Sequence, residues 1–186
     1  MNPRTILAVA VVLLLAGTLV GYLYGVSSIP TKTTTTTITA RAEVADSFAN
    51  HMLLLSERNA TNIVSQYEGD ANLTWVGREL NTVGLQGSYN KTNILILMNF
   101  SYIGRAGSFG IGNLSHKVAQ TSKDSATVQS SFEFFGSGYT FGPYFNSAKC
   151  FNGTVSAQTT FAYSTPTNAW LISRELWNFT SLNLQC

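Results

Sequence analysis

Arg58-Asn59-Ala60-Thr61-Asn62-Ile63-Val64-Ser65-Gln66-Tyr67-Glu68-Gly69-Asp70-Ala71-Asn72-Leu73-Thr74-Trp75 is the stretch on which the fold of this chain turns. Asn59 suits a helix N-cap, because its side-chain oxygen can accept a backbone N–H of the first turn. Ile63, Val64 and Tyr67 then fall on the buried side of a short helix over 60–68. Within a few residues the pattern changes, and 72–76 reads as a strand. The chain therefore passes from helix to sheet inside one short segment.

Upstream, Val44, Phe48, Met52 and Leu55 recur at helical spacing and predict an amphipathic helix over 42–57. Downstream, 77–90 holds three glycines and reads as loop. Residues 91–102 are strongly apolar, and periodicity alone does not separate helix from buried strand there. Beyond Gly112 the period becomes two. Val118 and then Ala126, Val128, Phe132 and Phe134 alternate with polar residues about a turn at Lys123-Asp124. Val155, Ala157, Thr159, Phe161 and Tyr163 alternate again. Thr165-Pro166-Thr167-Asn168 marks a turn, and 169–179 a last strand. Helices followed by a meander of long strands predict an α+β domain.

The 58–75 stretch resembles the helix–helix–strand opening of the nuclear transport factor 2-like superfamily, which includes SnoaL-like and ketosteroid-isomerase-like proteins. Leu85-Gln86-Gly87-Ser88-Tyr89 and the apolar segment from Asn93 resemble that superfamily's loop and third helix. Trp170-Leu171-Ile172-Ser173-Arg174-Glu175-Leu176-Trp177-Asn178-Phe179 resembles its closing strand. The resemblance covers about 42–180. It implies helix for 93–102 and a cone-shaped curved antiparallel sheet wrapped round N-terminal helices, with a pocket at the open end. Against that pattern, 136–150 looks like an insertion.

The ketosteroid-isomerase-like pattern places a carboxylate base on the first strand and a tyrosine donor on the first helix. Here Trp75 falls at the base's position and His51 at the donor's, and Thr160 falls where a second acid is expected. Trp accepts no proton, so the resemblance does not carry the isomerase mechanism over. His51 is the foremost polar candidate, since imidazole donates a hydrogen bond in either charge state. Asp70 is a second candidate base, with turn or capping duty as its competing role. His51, Tyr67, Trp75, Tyr89, Phe134, Trp170 and Trp177 are the candidate pocket lining, and equally good core residues. Two His and two Cys show no metal-ligand spacing, and no cofactor motif is present. The glycines of 107–112 do not open a helix, which weakens a phosphate-cradling role.

The N-terminal end bears on location. Residues 6–26 are 21 uncharged, largely apolar residues after a single Arg4. As a helix they span roughly 30 Å, enough to cross a bilayer. A short cytoplasmic tip (1–5), a signal anchor (6–26) and an extracytoplasmic C-terminal domain (42–186) follow, with a cleaved signal peptide as the alternative. Gly17, Gly21 and Gly25 lie near one helix face, a stripe suited to homodimer packing in the membrane. Residues 27–41, with seven Thr, read as an extended stalk. Seven sequons (Asn59, Asn72, Asn90, Asn99, Asn113, Asn152 and Asn178) imply a glycoprotein. Cys150 and Cys186 are the only cysteines, and an exported domain favours their pairing as one disulfide.

Net charge is +2 for the whole chain, but Arg4, Lys32 and Arg41 lie before residue 42. Within 42–186, eight Lys/Arg face nine Asp/Glu, a net of −1, so there is no basic footprint for nucleic acid. Three functions fit. The first is a membrane-anchored, non-enzymatic module binding a small apolar ligand or a surface protein. The second is a divergent SnoaL-like enzyme using His51 with an acid not yet placed, Asp70, Glu133 or Glu175. The third is a structural envelope or filament subunit, suggested by Tyr139, Phe141, Tyr144 and Phe145.

Overall fold

The computed structural model describes residues 31–82, 84–99, 108–137 and 150–183. The chain divides into two units, Met1–Ile38 and Thr39–Cys186. The second begins with most of α1 (Thr31–Glu57) and continues with α2 (Ala60–Ser65), β1 (Tyr67–Val76), α3 (Arg78–Thr82), β2 (Gly87–Asn90) and α4 (Lys91–Leu97). Four long strands follow: β3 (Ser108–Thr121), β4 (Ser125–Ser137), β5 (Cys150–Ser164) and β6 (Ala169–Asn183).

The six strands form one curved sheet in the order β2-β1-β6-β5-β4-β3. Four pairings are antiparallel and one, β1 with β6, is parallel. The sheet is therefore mixed rather than wholly antiparallel. The meander β3 to β6 returns its last strand alongside β1, whose chain leaves toward the helices instead of into a hairpin. Bulges bend the sheet: β3 slips against β4 at Gly112/Ser115 and Val118/Gln120, and β5 against β6 at Thr154/Val155 and Thr160/Phe161.

Strand alternation holds as the sequence predicts. Ala126, Val128, Phe132 and Phe134 are buried on β4, and Val155, Ala157, Thr159 and Phe161 on β5. Helix α1 lays Ala40, Val44, Phe48, Met52 and Leu55 onto the inner face. Asn59 caps α2 as expected, its Oδ1 accepting the Asn62 N–H at 3.0 Å.

Several boundaries differ from expectation. Tyr67 lies on β1 instead of closing a helix over 60–68, and β1 begins five residues before Asn72. Pairing with β6 claims these residues, since the Ile172 N–H donates to Gln66 O at 2.8 Å. The loop over 77–90 contains α3 and β2. Within 91–102, Lys91–Leu97 is helix α4, capped by the Asn90 side chain at 3.0 Å to the Asn93 N–H, and 100–102 lie outside the described residues.

The start of the stalk is helical from Thr31, not extended. Threonine forms helix poorly, but once the packed part of α1 has nucleated, each further residue adds a hydrogen bond without a new nucleation cost. Ala40 is buried and the Arg41 guanidinium donates to Val118 O at 3.3 Å, so the folded unit reaches upstream of residue 42.

The proposed anchor (6–26) with Gly17, Gly21 and Gly25, most of the 136–150 insertion, and Cys186 lie outside the described residues. Among those described, no helix is long and apolar enough to cross a membrane.

Candidate functional site

His51 sits on the buried stripe of α1, between Phe48 and Met52, and reaches the sheet's inner face. There it meets Glu175 of β6. The His51 Nε2 and Glu175 Oε1 are 3.4 Å apart, an ion-pair distance that is long for a hydrogen bond. The other ring nitrogen, Nδ1, donates to Gln66 Oε1 at 2.8 Å. Tyr67 donates its hydroxyl to Glu175 Oε2 in a short hydrogen bond, and Thr159 Oγ1 donates to Glu175 Oε1 at 3.2 Å. The His51 and Tyr67 rings meet edge to face at 5.7 Å. His51 and Tyr67 are 0% exposed and Glu175 is 1% exposed.

Burial penalises charge on both ionisable partners, yet their mutual attraction prevails. Desolvation pushes the His51 pKa down, while Glu175 and the Gln66 hydrogen bond raise it, and the net shift is above 6.5. Desolvation pushes Glu175 up, while His51, Tyr67 and Trp177 lower it, and the net shift is below 4.5. Burial and the Glu175 charge raise the Tyr67 pKa well above 10, so its proton stays on the phenol. Both shifts favour the imidazolium–carboxylate form of the pair, whose carboxylate also accepts from two hydroxyl donors.

The inward aim of Glu175 depends on a bulge. Trp170 and Ile172 face inward at even positions, but Glu175, Trp177 and Phe179 do so at odd ones. Thr160 opposes Arg174 while Phe161 opposes Ile172, leaving Ser173 as the extra residue on β6. Without Ser173 as a bulge, alternation from Ile172 would turn Arg174 into the core.

Beside this cluster the cone is filled by rings. Trp75 and Trp177 stack at 5.6 Å and 19°. Phe179 meets Trp75 at 5.4 Å, Phe132 meets Trp177 at 5.3 Å, and Tyr89 meets Trp75 at 6.0 Å. Phe134 joins the same group through Phe179 at 5.7 Å.

Of the sequence candidates, His51 and Tyr67 thus share the polar cluster. Trp75, Tyr89, Phe134 and Trp177 share the aromatic stack. Trp170 stands apart, donating to Glu43 Oε2 at 3.1 Å and packing on Tyr163. Asp70 is exposed within β1 and is not near His51 in the cluster, because the strand's irregular start turns it to solvent. Glu133 is also exposed and accepts from Asn113 Nδ2 at 2.7 Å. The threonine that reaches the site is Thr159, not Thr160, whose side chain belongs to the outer face. Glu175 is the acid that sequence reasoning left unplaced. Its signal was the phase change from Trp170/Ile172 to Trp177/Phe179, which marks a bulge and aligns Glu175 with the inward set. Among the described residues no group of His, Cys, Asp or Glu suits a metal ion.

No protein-family model matches the chain, and no curated protein matches it by sequence. Solved structures do match. A hexachlorocyclohexane dehydrochlorinase, LinA-type3 from Novosphingobium barchaimii, superposes with a TM-score of 0.59 at 15% identity, covering 81% of this chain and 93% of its own. A ketosteroid isomerase-like protein from Erwinia carotovora atroseptica gives 0.59 at 17% identity, covering 76% and 96%. An NTF2-like protein with a cystatin-like fold from Novosphingobium aromaticivorans gives 0.54 at 16%, covering 77% and 84%. The chain therefore has the nuclear transport factor 2-like cone fold, as its motifs imply. At these identities the likeness is one of fold, and function rests on the site.

Proposed function

We propose that the domain is a non-enzymatic binding module, displayed outside the cell on an N-terminal membrane anchor and glycosylated on its Asn sequons. The observation that carries the first part is the enclosure of its acid–base groups. A general base must come within hydrogen-bond reach of a substrate proton. His51 and Glu175 are spent on each other, Tyr67 on Glu175, and the stacked Trp75 and Trp177 rings occupy the neighbouring interior. The aromatic filling favours a protein or polar ligand at the surface over a small apolar one inside. The apolar run 6–26 and the seven sequons support the location.

The test is diethyl pyrocarbonate acylation of the native full chain, read by peptide mass spectrometry. The chain has two histidines, and His116 is exposed on β3 whereas His51 is buried. Acylation should fall on His116 and spare His51 until the protein unfolds. Prompt acylation of His51 in the folded protein would defeat the non-enzymatic reading.

A second reading keeps the cluster as a proton-transfer site. The carboxylate–imidazole–phenol arrangement favours it, and the neighbours of this fold include a dehydrochlorinase. It requires an opening that brings substrate to His51, which the same experiment detects.

A further inference from the structure

The outer face of the sheet carries a cleft of about 280 Å³, lined by Thr74, Gln158, Thr160, Arg174 and Leu176. Three adjacent strands build it. Arg174 on β6 lies opposite Thr160 on β5, and Leu176 lies opposite Gln158 on β5 and Thr74 on β1. The Ser173 bulge that turns Glu175 inward leaves Arg174 outward, so a full cation faces solvent from a concave floor. Arg174 makes no ion pair among the described residues. No acid lines the cleft, and its remaining polar groups are two hydroxyls and a carboxamide.

We propose that this cleft is a binding site for a small monoanionic carboxylate bearing hydroxyl groups, of the sugar-acid or hydroxy-acid class. The Arg174 guanidinium presents a planar fork of donors that matches a carboxylate in bidentate geometry. A single cation balances one negative charge, which suits a carboxylate better than a phosphate dianion. Thr160 and Gln158 each offer both donor and acceptor capacity, as ligand hydroxyls require, and Thr74 offers an acceptor. The Thr74 hydroxyl is oriented in advance, donating to Asn72 Oδ1 at 3.0 Å and bonding Ser88 Oγ at 2.7 Å. Leu176, partly exposed, offers methyl groups to the ligand's carbon skeleton. The volume lies near the lower end of small-molecule sites and limits the ligand to about one sugar ring. The site faces away from His51 and stands whether or not the interior is catalytic.

Isothermal titration of the full chain in detergent micelles tests this, with D-glucuronate as the probe and D-glucose and inorganic phosphate as comparisons. Glucuronate should bind saturably. Loss of a charge-assisted hydrogen-bonded pair weakens binding about tenfold or more, so Arg174→Gln should show that drop at an unchanged Tm, and glucose should bind correspondingly less well. Thr160→Val should cost a smaller factor. Absence of saturable glucuronate binding at tens of millimolar, or equal binding by Arg174→Gln, overturns the site. Phosphate binding more tightly than glucuronate overturns the carboxylate class.

Discussion

At the scale of single residues, the His51–Glu175 pair has an energetic consequence that can be signed. The Glu175 pKa is lowered by folding, so its contribution is present above its ordinary 4.5 and lost as pH falls through the folded value. The His51 pKa is raised, so its contribution is complete below 6.5 and lost as pH rises through the folded value. The pair stabilises most between those limits. Thermal melts of the full chain across pH should show a maximum between about 4.5 and 6.5, and the decline on the alkaline side should be much weaker in His51→Gln. Glu175→Gln leaves a buried imidazolium without its counter-charge and should lower stability by about 3–5 kcal/mol in urea denaturation. Tyr67→Phe removes one donor to the carboxylate and should cost about 1–3 kcal/mol. His51 was legible because the family resemblance places it at the donor position of the first helix, and imidazole donates a hydrogen bond in either charge state. Glu175 was less so: a charged residue in an alternating strand is ordinarily a solvent-face residue, and only the bulge reverses that.

At the scale of elements, the long strands of the meander owe their geometry to bulges and close backbone approaches. Gly153 on β5 is one such approach. A Cβ there would lie 2.5 Å from Ser181 O on β6 and 2.7 Å from the Phe134 ring. Gly153→Ala should destabilise the domain by about 1–3 kcal/mol through overpacking, measured by the urea midpoint at unchanged m-value. Deleting Ser173 removes the extra residue and leaves Trp170, Ile172, Glu175, Trp177 and Phe179 in one unbroken inward alternation, so cooperative melting should survive. Deleting Leu176 instead moves Trp177 and Phe179 to the face opposite Glu175, and should abolish cooperative melting. The same loss on deleting Ser173 would count against it as the residue that sets the parity. The alternation of β4 and β5 was readable from sequence because one face is buried and the other wet. The start of β1 was not, since Tyr67 suits the buried side of a helix as well as the inner face of a strand, and pairing with β6 decides.

At the scale of the whole molecule, one curved sheet carries two unlike faces. Its inner face, packed by α1, joins His51, Tyr67 and Thr159 to Glu175. Its outer face presents Arg174 and hydroxyl side chains to solvent. If 6–26 anchors the protein, high-pH carbonate washing should leave the full chain in the membrane fraction. A chain lacking 1–30 should be released and should still melt cooperatively. Retention of the shortened chain would argue against the anchor. Gly21→Leu should reduce dimerisation in a membrane reporter assay if the glycine stripe packs two helices together.

Sequence by itself determined the fold class. The period of 3.6 in α1, the period of two in the meander, the capping Asn59 and the turn at 165–168 are local patterns set by neighbouring residues. The motifs joined to them named the cone fold. What only the tertiary structure decided was which acid meets His51, and on which face Arg174 and Thr160 lie. The reason is physical: a strand's facing is a parity, and a bulge of one residue changes that parity without an unmistakable local mark. The parallel pairing of β1 with β6 is likewise a long-range choice. It joins residues about a hundred positions apart, and no local propensity encodes it.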